Sequence, residues 1–278
     1  MFCTKRGEWI KATCCYHGRA SPIGSGTAMQ ALKGKVALVT GAGSGIGRAN
    51  SVVMAARGAA IIVNDLNVTG AEATVALIQQ AGGVAVACIA DVSDAVSVEQ
   101  AFTAAQKELG TVDILVNNAG IASGMPAFED IDVAAIDRMF NVTVKGAMLC
   151  TRAVLPGMKQ RGRGKIINTS SITAFGSHRR GSVYAAAKGA IISLTRAWAR
   201  EFAEWNIHVN AVAPGRVQTP MSAGLSTNPS YEEEVRRRVP LGRRALPEEI
   251  ACVVAFLASS DADYMTGQVL SPNGGEIM

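Results

Sequence analysis

The chain has 278 residues, of which 49% are hydrophobic and 18% are charged, with a formal net charge of +5. This length and composition exclude a largely disordered chain and suit one large α/β domain. The small positive excess is a weak reason to expect nucleic-acid binding, and no apolar run approaches the ~18 residues of a membrane span. The six cysteines and three histidines follow no metal-ligand or disulfide spacing. We therefore expect a cytoplasmic protein with no metal, nucleic-acid or membrane partner.

Residues 1–31 differ from the rest of the chain because they are polar, basic and without periodicity. We expect them to form a flexible N-terminal extension. No break in composition divides the remainder, so we predict one dinucleotide-binding catalytic domain over residues 32–278. Within it, residues 218–245 are expected to form a lid over the substrate.

Short apolar runs alternate with helical segments from residue 35 onward. Continuous apolar strands separated by helices are typical of a parallel sheet that is covered on both faces. We predict a single Rossmann-type, doubly wound α/β sheet of about seven strands. The clearest predicted strands cover residues 35–40, 59–65, 84–91, 113–120, 164–171 and 207–214. The predicted helices cover residues 46–57, 69–81, 97–109, 132–161 and 182–205.

The first predicted strand leads into a glycine-rich loop, TGAGSGIGR, at residues 40–48. Glycines permit a tight turn and let the backbone approach a pyrophosphate, which the N-terminus of the next helix attracts. A glycine-rich turn without a ligand is the alternative, but the position between a strand and a helix favours a dinucleotide. The predicted contacts are Gly41, Ser44, Gly45, Ile46 and Gly47.

Asp65 ends the second predicted strand, where a carboxylate can accept hydrogen bonds from the ribose 2′-hydroxyl and repel a 2′-phosphate. No basic residue that could bind a 2′-phosphate stands at Ser44 or directly after Asp65, where Leu66 and Asn67 follow. The sequence therefore favours NAD over NADP as the cofactor.

The glycine-rich loop and Asp65 belong to a series of motifs along the chain. In this series, the chain resembles the short-chain dehydrogenase/reductase family from about residue 33 to residue 278. The resemblance rests on TGAGSGIG at 40–47, DV at 91–92, NNAG at 117–120, NTSS at 168–171, YAAAK at 184–188 and PG at 214–215. It implies an NAD-preferring oxidoreductase acting on a secondary alcohol or ketone, assembled as a homotetramer or homodimer. The catalytic tetrad it implies is Asn141, Ser171, Tyr184 and Lys188. The further cofactor contacts it implies are Asp91, Val92, Asn118, Ala119, Gly120, Tyr184, Lys188, Pro214, Gly215, Val217 and Thr219.

The spacing of Tyr184 and Lys188 suggests a reason for this assignment, since residues four apart share one helical face. A phenol with a pKa of about 10 is a poor base at neutral pH. We expect the Lys188 ammonium to lower the pKa of Tyr184, Ser171 to bind the substrate oxygen, and Asn141 to hold a water that passes protons towards Lys188.

These motifs do not identify the substrate. Besides Ser171 and Tyr184, the candidate substrate contacts are His178, Arg179 and Met221. One alternative is an NADPH-dependent 3-oxoacyl-[acyl-carrier-protein] reductase, against which Asp65 argues. A catalytically silent nucleotide-binding sensor is a remote alternative, against which the intact tetrad argues.

Overall fold

Seven parallel strands form the centre of the molecule, which a computed structural model describes at residues 30–122, 127–176, 180–226 and 229–278. Their order across the sheet is β3-β2-β1-β4-β5-β6-β7, with helices on both faces, which confirms the predicted doubly wound architecture. The strands are β1 (Val36–Thr40), β2 (Ala60–Asp65), β3 (Ala85–Ile89), β4 (Ile114–Asn117), β5 (Gly164–Thr169), β6 (Ile207–Val212) and β7 (Val269–Leu270).

Nine α-helices occur in the described ranges. They are α1 (Gly45–Ala56), α2 (Val68–Gln80), α3 (Ala95–Leu109), α4 (Val133–Phe140), α5 (Gly146–Arg161), α6 (Ser182–Glu201), α7 (Ala223–Ser226), α8 (Pro229–Arg238) and α9 (Pro247–Ala258). The predicted long helix over residues 132–161 is α4 and α5, joined by a π-helical turn at Asn141–Lys145. Helices α7 and α8 lie within the segment predicted as a lid. None of these helices is both long and apolar enough to cross a membrane.

Two apolar layers hold the sheet between the helices. Neighbouring residues of one strand enter opposite layers, so Leu38 packs with Phe102 and Trp198 while Val39 packs with Met54. Both layers are buried, which is why each strand reads as a continuous apolar run. The strand order reverses between β1 and β4, which are neighbours in the sheet. This reversal leaves a crevice at the carboxyl ends of the strands.

Candidate active site

A cavity of about 1230 Å³ opens at this edge of the sheet. It brings together most of the residues that the sequence predicts for the site. Those lining it are Gly41, Ser44, Gly45, Ile46, Asp65, Asp91, Val92, Asn118, Ala119, Gly120, Ser171, Tyr184, Lys188, Pro214, Gly215, Val217, Thr219 and Met221. Gly47 and Asn141 do not line the cavity, while His178 and Arg179 fall outside the described residues.

The glycine loop shapes one end of this cavity. A Cβ on Gly47 would lie 2.1 Å from the carbonyl oxygen of Gly41, so only glycine lets α1 approach β1 this closely. Gly45 has φ +53°, in the left-handed region that glycine adopts without strain. Ser44, the N-cap of α1, makes no side-chain capping bond. The N-terminal amides of α1 therefore face the cavity as an anion site that fits a pyrophosphate.

Asp65 is fixed beside this loop by two backbone amides. Its Oδ2 accepts a hydrogen bond from Gly43 N at 2.8 Å, and its Oδ1 accepts one from Asn67 N at 2.9 Å. Arg48 lies below the loop, where its guanidinium donates to the Gly43 carbonyl and, at 3.0 Å, to Thr74 Oγ1. The charged group that faces the cavity here is thus the carboxylate, in the position expected to meet a ribose hydroxyl.

Asn118 ties the ends of β1 and β4 together. Its side-chain amide donates to the Thr40 carbonyl at 2.9 Å, and the Thr40 hydroxyl accepts from the backbone amides of Asn118 and Ala119, each at 3.0 Å. Asp91 is held in a similar local turn, because its Oδ1 accepts from the Ser93 amide at 2.8 Å. These bonds fix the floor of the cavity without using external partners.

Lys188 is buried in the wall of the cavity, with only 4% of its surface exposed. Its Nζ donates to the Thr169 carbonyl oxygen at 2.8 Å. Burial penalises the ammonium and lowers the pKa of Lys188 to about 8. The amine is therefore still mostly protonated at neutral pH, and it is oriented by the end of β5.

Tyr184 stands beside Lys188, but its pKa is shifted in the direction opposite to the expected one. Burial raises the pKa of the Tyr184 phenol, and a hydrogen bond with Ser171 acts against that rise. The Lys188 Nζ lies 5.7 Å from the centre of the Tyr184 ring and is directed at Thr169. The expected lowering by Lys188 is not seen in the protein alone, where desolvation is the largest cause of the shift.

The two adjacent serines have different surroundings. Ser170 donates its hydroxyl to the Lys188 carbonyl oxygen at 2.8 Å and so anchors α6. Ser171 accepts from Thr173 N at 3.2 Å and bonds with Tyr184. Of the two serines, Ser171 is therefore the one paired with the tyrosine.

The π-turn presents a different residue to this centre from the one that the resemblance implies. Asn141 begins the turn and is exposed, whereas Thr143 is only 2% exposed. A Cβ built on Gly120 would lie 3.4 Å from Lys188 Nζ and 3.7 Å from Thr143 Oγ1. Both polar atoms thus border the same small space beside Gly120. Thr143 was not among the predicted site residues, although it stands only two residues after Asn141.

Comparison with known proteins identifies the family. The family model described as enoyl-(acyl carrier protein) reductase, a short-chain dehydrogenase/reductase model, matches residues 41–276. The chain belongs to the short-chain dehydrogenase/reductase family. It is 40% identical to cis-4-hydroxycyclohexanecarboxylate dehydrogenase of Sinomonas cyclohexanicum, over 88% of this chain and 98% of that protein. It is 36% identical to 3-oxoacyl-[acyl-carrier-protein] reductase FabG of Thermotoga maritima, over 89% of this chain and 99% of that protein.

Solved short-chain dehydrogenase/reductase structures share the fold and carry either nicotinamide cofactor. A 7α-hydroxysteroid dehydrogenase complexed with NADH and 7-oxo glycochenodeoxycholic acid has a TM-score of 0.84 and 35% identity, covering 90% of this chain and 96% of that one. A gluconate 5-dehydrogenase from Burkholderia cenocepacia, in complex with NADP and tartrate, has a TM-score of 0.86 and 31% identity, covering 90% and 98%. The family thus establishes an alcohol or ketone oxidoreductase, with either nucleotide represented among its relatives.

In this short-chain dehydrogenase/reductase, α8 closes one side of the cavity through a buried arginine. Arg216 pairs with Glu276 at 3.0 Å and with Glu234 of α8 at 3.1 Å. Its guanidinium also lies over the Tyr231 ring, 5.2 Å from the centre. The predicted lid is therefore tied to the cavity wall and to the C-terminal segment. Within the described ranges, no group of three or more histidine, cysteine or acidic side chains is arranged to hold a metal ion.

Proposed function

We propose that the protein transfers a hydride between NAD(H) and a secondary alcohol or ketone, with Tyr184 as general acid/base. The observation that carries this proposal is the pairing of Tyr184 with Ser171 beside the buried Lys188. The same cavity continues to the glycine loop and Asp65. A dinucleotide bound along it would therefore bring its nicotinamide towards the tyrosine.

Each side chain has a distinct role in the proposed reaction. Bound NAD⁺ supplies the hydride acceptor and a positive charge that favours the tyrosinate. The Ser171 hydroxyl donates to the substrate oxygen and orients it towards Tyr184. Tyr184 takes the hydroxyl proton during oxidation and returns it during reduction. Lys188 keeps its positive charge near the phenolate, since its pKa of about 8 leaves it mostly protonated at pH 7.

The proton then needs a route from this buried centre to solvent. The resemblance assigns the proton relay to Asn141. Asn141 is exposed, however, whereas Thr143 is buried and therefore better placed for this role. The Thr143 hydroxyl contacts Met139 Sδ at 3.6 Å, a weak partner that a water can replace. We therefore assign the relay position to Thr143.

Asp65 supports NAD rather than NADP. A 2′-phosphate would bring about −2 charge next to a carboxylate fixed by two amides, and the nearby Arg48 is turned inward. With a panel of secondary alcohols, we expect kcat/KM with NAD⁺ to exceed that with NADP⁺ at least about tenfold. Asp65→Asn should narrow this ratio. A wild-type preference for NADP⁺ would overturn the assignment.

A second function, reduction of 3-oxoacyl-[acyl-carrier-protein], is favoured by the similarity to the Thermotoga maritima FabG. That activity would be seen as oxidation of NADPH with acetoacetyl-CoA. Turnover of simple secondary alcohols with NAD⁺, and none with acetoacetyl-CoA, would reject it. Any such turnover also rejects a silent nucleotide sensor.

The proposal also covers the assembly of the protein and its location in the cell. We infer a homotetramer or homodimer that packs through the long helices, where Met148 of α5 is a half-exposed apolar side chain. Light scattering on the purified protein tests this, and a monomer would contradict it. The thiols Cys88, Cys150 and Cys252 are free, which supports a reducing, cytoplasmic setting.

A further inference from the structure

The cavity contains a group of charged side chains that the proposed chemistry does not use. Arg180, Arg216, Glu234 and Arg238 line it together with Ser171 and Tyr184. The acids that line the nucleotide region lie on the other half of the sheet, where Asp65 ends β2 and Asp91 follows β3. The substrate region therefore has its own charges, and these are mainly positive.

Arg216 is already neutralised by the protein. Both oxygens of Glu276 accept from its Nε, at 3.0 and 3.2 Å, and Glu234 Oε1 accepts from its Nη2 at 3.1 Å. Its side chain is 9% exposed, and that of Glu276 is 6% exposed. This arginine is a structural element of the wall and has little capacity left for a ligand.

Arg238 is different because it shares a carboxylate that is already engaged. Its Nε pairs with Glu234 Oε1 at 3.1 Å, the same oxygen that accepts from Arg216. Of the three consecutive arginines on α8, only Arg238 lines the cavity, whereas Arg236 and Arg237 are exposed elsewhere. The helical repeat explains this, since Arg238 is seven residues after Tyr231 and shares its face.

Arg180 adds a second guanidinium from another part of the cavity wall. It precedes Gly181, the N-cap of α6, and stands four residues before Tyr184. Within the part of the chain that the structure describes, it forms no ion pair with a carboxylate. Counting Glu276, three guanidiniums therefore face two carboxylates, which leaves one uncompensated positive charge.

The substrate region also contains apolar side chains. Ile121, Val142, Ile172 and Met221 line the cavity together with the charged groups. A substrate suited to these walls has a hydrocarbon body, a hydroxyl or ketone for Ser171 and Tyr184, and an anionic end. A guanidinium binds a carboxylate through paired, charge-assisted hydrogen bonds.

We propose that the substrate is a hydroxy acid or the matching keto acid, whose carboxylate is bound by Arg180 and Arg238. This inference rests on the proposed function for the reacting hydroxyl. The carboxylate subsite itself is a matter of binding and can be measured without turnover.

The test compares acids with neutral molecules of the same shape. A series of secondary hydroxy acids of increasing length, including 4-hydroxycyclohexanecarboxylate, is assayed beside the corresponding primary carboxamides with NAD⁺ and NADP⁺. Calorimetry measures binding of the matching keto acids and keto amides to the enzyme saturated with NADH or NADPH. The variant Arg180→Gln/Arg238→Gln removes the subsite. Arg236→Gln/Arg237→Gln removes the same charge from the outer face of α8.

We expect at least one acid to be bound and turned over about tenfold better than its amide. The subsite variant should lose this preference and the control variant should retain it. The inference is overturned if every acid matches its amide within threefold, or if the subsite variant keeps the preference. An arginine-dependent preference for acids in binding, without turnover of any compound, would support the subsite and reject the proposed function. Equal turnover of acids and amides would do the reverse.

Discussion

At the scale of single residues, Lys188 shows that the site is built at some expense to the fold. Its pKa is lowered from 10.5 to about 8 by burial, with no carboxylate as the cause of the shift. The unfolded chain would bind a proton at that lysine up to pH 10.5. Below pH 8 the buried charge therefore opposes folding, and stability rises with pH between the two values.

Replacing this lysine should consequently stabilise the protein while destroying activity. We expect Lys188→Met to raise the free energy of unfolding at pH 7 by about 3 kcal/mol, the equivalent of the pKa shift. The gain should shrink as the pH rises from 8 towards 10.5. Urea denaturation of both proteins at pH 7 and pH 10 measures it. Destabilisation at pH 7 would mean that the bond to Thr169 outweighs the desolvation.

Thr143 and Asn141 give a second test at this scale. Thr143→Val removes the buried hydroxyl and keeps the shape, so we expect kcat to fall at least about tenfold with nucleotide affinity unchanged. Asn141→Ala alters an exposed side chain and should stay within twofold of wild type. The pH dependence of kcat should also change only in Thr143→Val. The opposite order of effects would return the relay to Asn141.

At the scale of elements, the different positions of Asn141 and Thr143 follow from one π-helical turn. Helical periodicity of 3.6 predicts which side chains share a face, but a π-turn contains an additional residue and rotates everything after it. Nothing in the letters NVTVK announces that turn. The choice of Ser171 rests on the resemblance, and the structure gives the neighbouring Ser170 a separate role as an anchor of α6.

The attachment of α8 to the C-terminal segment depends on a buried ion pair. Glu276→Gln leaves the Arg216 guanidinium buried with only Glu234, and we expect it to lower the free energy of unfolding by about 2 kcal/mol. Because α8 lines the cavity, KM should rise as well. Urea denaturation and steady-state kinetics measure the two effects.

The pair Arg243–Glu249 provides the matched control. Its atoms are 2.7 Å apart, closer than those of Arg216 and Glu276, and it holds the pKa of Glu249 at about 2. Both side chains are about half exposed, however, so solvent screens the pair. Glu249→Gln should change stability little. Equal losses in the two variants would contradict the importance assigned to burial.

At the scale of the whole molecule, the sheet was predictable because parallel strands buried on both faces are continuous apolar runs. The sequence predicted about seven strands but gave no position for β7. Its two residues form a strand because they pair with Ala211 and Val212 of β6. Strands β4 and β5 end at Asn117 and Thr169, earlier than predicted. The polar residues that follow them leave the sheet to line the cavity.

The charge distribution of the cavity could not be predicted from the sequence. The run RRR at residues 236–238 is typical of a solvated helix face. Only the orientation of α8 separates Arg238 from its two neighbours. Similarly, Arg216 and Glu276 are 60 residues apart, and their pairing follows from the tertiary fold alone.

The central claim is that the Tyr184 hydroxyl carries the proton, and Tyr184→Phe tests it most directly. This variant keeps the ring and removes only the group that titrates, while Tyr264→Phe, at a fully exposed position, is the control. We predict that Tyr184→Phe binds NADH with an affinity within threefold of wild type and loses turnover at least about a thousandfold. Turnover near that of the wild type, with intact nucleotide binding, would contradict the account.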